Sequence, residues 1–473
     1  MPYTAGDTHA FEAAGQQFLY LVPSGGIVDL NPVASAVLNR VKSNPASRED
    51  LLAALPFEAP DIHEAIDELA SFRAILDNGE KVEDPPQDVP DKFPLQTMVL
   101  NLTNQCNLSC GYCYEFGEDK VATPDGKPKF MSWDTAKMSV DHLFTESAGR
   151  RAIHMTFFGG ETLMNFPLLK QVVEYANEKA KAEGRYIDYS LTTNATLLTP
   201  AIIEFLAENH IGVTVSMDGP KEMNDQLRVF ANGKGSYDII APKVRSLLDK
   251  HKTRPIAARV TLTAQVTDVL KIFKHLKHDM GFHEVGFAPV TTSPNRLYAI
   301  ENNSMDRVLD QFKTLAYEYR DAAVRGEHHG FSNVSDTLME LHQGINKSHP
   351  CGAGLGLVGV GPSGDIAPCH RFVDSDTHAL GHISTGIDKA KQQDFLQRGH
   401  INAKYDCHSC WARPLCAGGC HHEAFVRYGD TGHPNLHYCD WIRGWTGLCL
   451  EIYGEIATRN PQFLNTFDRR KTV

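Results

Sequence analysis

The sequence lacks the features that would place the chain in a membrane or on nucleic acid. No run of 18 apolar residues occurs in its 473 residues, and its first residues contain no basic segment followed by an apolar one. The 46 Lys and Arg residues are outnumbered by 58 Asp and Glu residues, so a basic nucleic-acid-binding face is not expected. We therefore expect a cytoplasmic protein that binds no nucleic acid and does not span a membrane.

Cysteine is missing from most of the chain. None of the eleven cysteines precedes Cys106, none lies between Cys113 and Cys351, and eight lie from Cys351 onward. In a chain without an export signal, cysteines are expected to be thiols or metal ligands rather than disulfides. The distribution predicts two metal-binding regions on either side of a cysteine-free middle.

The length predicts two or three domains. Residues 1–80 contain candidate strands at 18–22 and 26–29, three candidate helices beginning near Asn31, Ser47 and Ile62, and a short strand at 74–76. Residues 81–94 are charged and rich in proline, which predicts a linker.

The middle of the chain alternates between candidate strands and amphipathic helices. We predict strands at 97–102, 154–158, 187–192, 212–216, 256–262 and 284–288 within a domain of residues 95–300. This alternation predicts an α/β fold of parallel β/α units, as a barrel or an open wound sheet. Residues 301–347 are expected to form a helical connection, and residues 348–473 a cysteine-rich domain.

Three cysteines follow the first of these strands in a C-x3-C-x2-C spacing: Cys106, Cys110 and Cys113. Three thiolates can hold three irons of a [4Fe–4S] cluster and leave the fourth iron without a protein ligand. The alternative is a zinc site, which normally closes with four ligands.

This spacing, with Tyr112 before the third cysteine, resembles the radical S-adenosylmethionine (SAM) superfamily. The resemblance implies a partial (β/α)6 radical SAM barrel whose chemistry lies at the C-terminal ends of the strands. It also implies cofactor-binding roles for residues that follow successive strands: Tyr112, Gly159, Gly160, Glu161, Asn194, Ser216 and Arg259. Arg259 would pair with the SAM carboxylate, for which a guanidinium is well shaped. Thr162 stands where the family usually has proline.

The C-terminal cysteines resemble the SPASM extension of radical SAM enzymes, which carries auxiliary [4Fe–4S] clusters. That resemblance implies one complete cluster on Cys407, Cys410, Cys416 and Cys439, and a second on Cys351, Cys369 and Cys420, for three clusters in all. The second would keep an open iron for a substrate thiolate unless Cys449 completes it. A zinc ribbon over residues 407–420 is the alternative.

Residues 410–424 and 158–165, together with the N-terminal region, resemble thioether-forming peptide maturases over the whole chain, the family that matures quinohemoprotein amine dehydrogenase. The resemblance implies crosslinks from cysteine sulfur to the methylene carbon of Asp or Glu in the small γ subunit, with an electron donor such as flavodoxin or ferredoxin. The N-terminal region would be a winged-helix-like peptide-recognition domain that adds the leader peptide to its hairpin as a strand. A purely structural extension is the alternative reading of that region.

A base must take the proton of the substrate thiol. The candidates are Asp238, which opens a helix near the barrel mouth, and Asp218, which follows the fourth strand. Other activities stay open: thioether formation on another ribosomal peptide, formylglycine formation of the anaerobic sulfatase maturase type, or a non-enzymatic electron carrier.

Overall fold

The computed structural model describes residues 2–77, 80, 89, 93–123 and 125–468. Most of the predicted linker at 81–94, namely residues 81–88 and 90–92, lies outside the described residues.

The N-terminal module (residues 2–77) is a three-stranded antiparallel sheet packed on three helices. Its elements are β1 Thr4–Ala5, β2 Thr8–Ala13, β3 Gln16–Leu21, β4 Gly26–Leu30, α1 Pro32–Ser43, α2 Arg48–Ala54, α3 Ala59–Ser71 and β5 Ile75–Leu76. The sheet order is β2-β3-β4, and β1 pairs with β5. The predicted hairpin and three helices are present, whereas β1 and β2 were not predicted.

Local capping explains where the helices of this module begin. The side chain of Asn31 accepts a hydrogen bond from the Ala34 amide at 2.8 Å, with Pro32 at the first helical position. Ser47 and Asp50 form a reciprocal capping box at the start of α2. These short-range signals are readable from sequence, and the predicted helix starts agree with them.

The central domain alternates strands and helices as predicted. Its elements are β6 Thr97–Asn101, α4 Trp133–Glu146, β7 Ala152–Phe158, α5 Phe166–Ala182, β8 Tyr186–Thr193, α6 Pro200–Glu208, β9 Gly212–Ser216, α7 Lys221–Leu227, α8 Tyr237–Lys250, β10 Ile256–Leu262, α9 Val269–Lys274 and β11 Glu284–Pro289. A π-helical turn, His275–Met280, extends α9. All six predicted strands are present, and the fourth and fifth have the predicted bounds.

The six strands pair in parallel in the order β11-β10-β9-β8-β7-β6, which gives the curved sheet of a partial (β/α)6 barrel. Parallel pairing brings all their carboxyl ends to one edge. The buried residues of the sheet and its helices form one continuous core.

The C-terminal region extends this sheet rather than standing apart from it. After α10 Asn302–Val324 and α11 Ser332–His342 come β12 Leu357–Val360, β13 Asp365–Ala367, β14 Gly381–His382, β15 Gly386–Ile387, α12 Lys389–Gly399, α13 Arg413–Cys416, α14 His421–Tyr428, α15 Cys439–Arg459 and α16 Pro461–Leu464. Strand β12 pairs in parallel with β6, and β13, β14 and β15 follow antiparallel, giving ten strands. The extra parallel strand was not predicted.

In the part of the chain that the structure describes, no helix is both long and apolar enough to cross a bilayer.

Candidate active site

A cavity of about 500 Å³ opens at the carboxyl ends of the barrel strands. We call it the barrel cavity. Its lining includes Cys106, Cys110, Tyr112, Cys113, Glu115, Gly159, Gly160, Glu161, Asn194, Ser216, Arg259, Ala288, Pro289, Thr291, His370 and Arg371. The structure thus brings the three cysteines of the first motif and every sequence-predicted SAM contact to one cavity.

Burial dominates the chemistry of the three thiols. It raises the pKa of Cys106 and of Cys113 to about 12, so neither would be a thiolate by itself. A bound metal deprotonates its thiol ligands outright. Three thiols that face one cavity and need a cationic centre to ionise therefore fit an iron–sulfur cluster.

The loop that carries these cysteines is held by a buried ion pair. The Tyr112 hydroxyl donates to the Asp218 carboxylate, and Arg228 Nε donates to the same oxygen at 2.8 Å. The Arg228 guanidinium also lies over the Tyr112 ring, 5.4 Å from its centroid. Sequence reasoning missed Arg228, because nothing local marks it as the partner of Asp218.

Gly159 and Gly160 fit the cysteine loop against the end of β7. A Cβ on Gly160 would lie 2.3 Å from the Gln105 carbonyl oxygen, and one on Gly159 2.3 Å from the Thr103 oxygen. Gly159 also has φ +123°, where side chains are strained. The two glycines thus let the backbone of the cysteine loop lie directly on the strand end, a role distinct from the predicted approach to SAM.

Glu161 and Asn194 line the cavity and are also held by hydrogen bonds within the protein. The Glu161 carboxylate accepts hydrogen bonds from Thr193 Oγ1 at 2.6 Å, the Asn194 amide at 2.7 Å and the Leu163 amide at 3.1 Å. Burial raises its pKa while these three donors lower it. Glu161 therefore braces two strand ends in addition to lining the cavity, where a cofactor-binding role is predicted for it.

The two predicted bases lie in different surroundings. Asp218 is 1% exposed, and its second oxygen accepts the Thr261 amide at 2.9 Å, so its hydrogen-bonding capacity is largely used. The Asp238 side chain is 71% exposed, pairs with Lys221, and is not among the residues that line the barrel cavity. A third carboxylate that was not predicted, Glu115, does line the cavity, and burial raises its pKa to about 8.

The C-terminal cysteines collect around a second cavity. This auxiliary cavity, of about 330 Å³, is lined by Cys407, Cys410, Cys416, Cys420 and Cys439. Electrostatic coupling links Cys407 with Cys410, Cys416 and Cys439, and separately links Cys369 with Cys351 and Cys420. These are the two groups that the SPASM resemblance implies.

Two further residues belong to this region. Lys404 is 2% exposed, donates to the Ala417 carbonyl oxygen at 3.0 Å and interacts with thiols of both cysteine groups. Cys449 is 0% exposed in α15, and no other cysteine influences its pKa, which burial raises. Its position is that of a buried thiol.

The two cavities have a common wall. Ala288, Pro289, Thr291 and Arg371 line both of them. Arg371 was missed by sequence reasoning, although it follows Cys369 by two residues. The barrel strands and the C-terminal extension thus build one continuous site.

Comparison with known proteins agrees with this architecture. Residues 100–268 match the model of the Radical SAM superfamily. A serine-type anaerobic sulfatase-maturating enzyme of Bacteroides thetaiotaomicron is 27% identical over 374 residues, 74% of this chain and 87% of that protein. The radical SAM cyclopropyl synthase TigE of Paramaledivibacter caminithermalis is 21% identical over 440 residues, 88% of each chain.

Two solved structures share the fold. Native anSMEcpe with bound AdoMet and Cp18Cys peptide superposes with a TM-score of 0.62 at 20% identity, covering 79% of this chain and 99% of that one. Streptococcus suis SuiB bound to precursor peptide SuiA has a TM-score of 0.51 at 15% identity, covering 93% of this chain and all of that one. Residues 100–268 therefore match a radical SAM domain, set within a mixed α/β fold with a cysteine-rich C-terminal region.

Proposed function

We propose that this radical SAM protein is a peptide maturase that joins a cysteine sulfur to the methylene carbon of an Asp or Glu side chain. The substrate would be the small γ subunit of quinohemoprotein amine dehydrogenase, and a flavodoxin or ferredoxin would supply electrons. The observation that carries the proposal is the wall of Ala288, Pro289, Thr291 and Arg371 that the barrel cavity and the auxiliary cavity have in common. One peptide segment can reach both cavities across it.

Three sets of cysteines would each hold one iron–sulfur cluster. Cys106, Cys110 and Cys113 would hold the SAM-binding cluster, Cys407, Cys410, Cys416 and Cys439 a complete auxiliary cluster, and Cys351, Cys369 and Cys420 one with an open iron. When bound, SAM and its cluster supply a 5′-deoxyadenosyl radical that takes one hydrogen atom, and the auxiliary clusters accept the electron left when the sulfur–carbon bond forms. The thiol loses its proton, so the peptide loses two hydrogens in all.

The protein residues around the barrel cavity would bind and orient the reactants. The Arg259 side chain faces the cavity and has no hydrogen bond or ion pair in the described part of the chain, so its guanidinium is available for the SAM carboxylate. The backbone after Gly159 and Gly160, and the side chains of Asn194 and Ser216, would border the rest of SAM. Tyr112 and Asp218 keep the cysteine loop in register.

The N-terminal module would hold the leader peptide. Strand β3 pairs with β2 on one side and β4 on the other, so the free edge of the predicted hairpin is that of β4, Gly26–Leu30. An extended peptide can add to such an edge through main-chain hydrogen bonds. The SuiB structure, which contains its precursor peptide, covers 93% of this chain, whereas the anSMEcpe structure covers 79%.

Formylglycine formation is the second candidate. It is favoured by the sulfatase-maturating names of several relatives, such as the Bacteroides thetaiotaomicron enzyme. It gives no role to the N-terminal module. It also offers no reason for a three-cysteine group beside the common wall of the two cavities.

Anaerobic co-expression with the candidate γ subunit, followed by tandem mass spectrometry, tests the two candidates. We expect loss of two hydrogens per crosslink, protection of the linked cysteines from alkylation, and sulfur-linked fragment ions at Asp or Glu. A hydrazide probe labels formylglycine but not a thioether, which matters because oxidation of serine also removes two hydrogens. The C106A/C110A/C113A variant is the control. A hydrazide-reactive product, or an unmodified peptide from fully iron-loaded enzyme, would refute the thioether proposal.

A further inference from the structure

Two guanidinium groups face the barrel cavity without a carboxylate partner. Arg259 comes from β10, and Arg371 from the C-terminal region just after β13. Among the described residues, no carboxylate oxygen lies within 4.0 Å of a nitrogen of either side chain. Arg371 Nη1 donates to Thr291 Oγ1 at 2.7 Å, and its guanidinium carbon lies 4.8 Å from the centroid of the Tyr114 ring.

Other arginines in protected positions of this chain are paired. Arg228 has Asp218 at 2.8 Å, Arg413 has Asp7 at 2.6 Å, and Arg427 has Glu423 at 2.8 Å. Glu423, the carboxylate that acts on Arg371 electrostatically, is thus already bound to Arg427. Because an unpaired charge in a protein-lined site is costly, two open guanidiniums there indicate a site for two anionic groups.

The SAM carboxylate accounts for one anion only. Arg259 lines the barrel cavity but not the auxiliary cavity, which suits a ligand that stays inside the barrel. Arg371 lines both cavities, at their common wall, and the Cys420 thiol lines the auxiliary cavity beside it. The second anion therefore belongs to a group that reaches from one cavity to the other.

We propose that Arg371, oriented by Thr291, binds the carboxylate of the substrate Asp or Glu whose methylene carbon is joined to sulfur. This inference rests on the proposed thioether function. The reacting carbon, Cβ of Asp or Cγ of Glu, is bonded directly to the carboxylate carbon. A guanidinium that holds both oxygens therefore fixes the methylene one bond away and restricts its rotation.

The position of Arg371 also suggests a simpler role, in which its charge only offsets nearby thiolates. It lies two residues from Cys369, and the thiols of Cys369 and Cys420 both act on its guanidinium. The two roles differ in what they require. Charge compensation needs only a positive charge, which lysine keeps, whereas carboxylate recognition needs the planar fork that lysine lacks.

The test combines enzyme and substrate changes in reconstituted holoenzyme. R371K and R371Q are compared with wild type on the natural peptide and on a peptide whose crosslinked Asp is replaced by Asn. Four quantities are measured: iron per chain with the cluster electron paramagnetic resonance spectra, peptide affinity, 5′-deoxyadenosine release and crosslink yield. R325Q is the matched control, because Arg325 pairs with Glu327 on the surface.

We expect iron content and spectra to be retained in R371K, and crosslink yield to fall about 10- to 100-fold while 5′-deoxyadenosine release continues. Wild type should crosslink the Asp peptide at least tenfold better than the Asn peptide, and R371Q should lose that preference. The loss of the Asp-over-Asn preference is the decisive readout. A purely structural role of Arg371 would lower the crosslink yield equally on both peptides.

Three results would overturn the inference. One is an unchanged Asp-to-Asn preference in R371Q. The second is a crosslink yield fully restored by R371K together with altered iron or spectra in R371Q, which would show charge compensation. The third is a wild-type enzyme that forms no crosslink on any peptide, which would refute the proposed function and with it this role of Arg371.

Discussion

Asp218 and Asp238 look alike in the sequence, but their partner residues give them different surroundings in the fold. Asp218 and Asp238 both follow β9 within one segment, yet Asp218 is enclosed with Arg228 and Tyr112 while Asp238 meets solvent and Lys221. The pairing of Asp218 depends on Arg228, ten residues later, at the C-terminal end of α7. Spacing alone does not distinguish the two.

Replacing Asp218 by Asn should therefore destabilise the protein strongly. Removing one partner of a buried ion pair leaves the other charge uncompensated, which costs about 3–5 kcal/mol. We expect a lower free energy of unfolding and less iron per chain, measured by urea denaturation and iron assay. Asp238→Asn is the matched control and should change neither. If Asp238→Asn instead abolished crosslinking in a stable, fully loaded enzyme, its predicted role as base would be supported.

His329 gives the stability a dependence on pH. Burial, with Lys277, His278 and His328 nearby, lowers the pKa of His329 to about 4. An unfolded chain takes up that proton near pH 6.5, whereas the folded chain does not, so stability is lost as pH falls from about 6.5 towards 4.

Comparing wild type with His329→Gln isolates this contribution. The free-energy difference between the two proteins should shift by about 1 kcal/mol in favour of the variant between pH 7.5 and pH 5.5, in urea unfolding at each pH. A difference that stays constant across this range would show that His329 is protonated equally in both states.

At the scale of elements, close contact between the cysteine loop and the end of β7 decides the geometry of the site. The motif with Gly159 and Gly160 was read from sequence as a ligand-binding edge. The structure adds that the backbone of Gly159 and Gly160 lies against residues 103–106. A Cβ atom on either glycine would have no room there.

Gly160→Ala should therefore displace Cys106. The added methyl group would meet the Gln105 carbonyl oxygen at 2.3 Å and the Cys106 amide nitrogen at 3.0 Å, and neither is a flexible side-chain end. We expect less iron bound at the first cysteine motif, with iron bound at the C-terminal cysteines unchanged, by iron assay and electron paramagnetic resonance. Gly212→Ala is the control, because its new methyl would have only ordinary contacts from 3.5 Å. Equal iron content in the two variants would contradict this explanation.

At the scale of the whole molecule, the N-terminal module is joined to the cysteine-rich region. His9 stacks on Trp411 with ring centroids 3.7 Å apart, and Asp7 pairs with Arg413 at 2.6 Å. Trp411 follows the cluster candidate Cys410 directly. These contacts attach the β2 side of the module to the cysteine-rich region.

Trp411→Ala should loosen this attachment. An aromatic pair contributes about 1 kcal/mol beyond its buried area, so we expect faster hydrogen exchange in β2, Thr8–Ala13, and lower crosslink yield at limiting peptide. Trp411→Phe keeps a ring and should restore both. Unchanged hydrogen exchange in the alanine variant would show that contacts other than the His9–Trp411 stack are sufficient to hold the N-terminal module.

The sequence by itself determined the local elements and the spacing of the cysteines. Caps at Asn31 and Ser47, the alternation of strands and helices, and the C-x3-C-x2-C spacing act within a few residues, so they can be read directly from the chain.

Only the tertiary structure decided which distant groups meet. It placed β12 beside β6, paired Arg228 with Asp218, separated Asp238 from the cavity and left Arg371 open at a wall common to two cavities. These contacts join residues that are ten to 260 positions apart, and they are set by packing of the whole sheet and the burial of charge, for which the sequence carries no local signal.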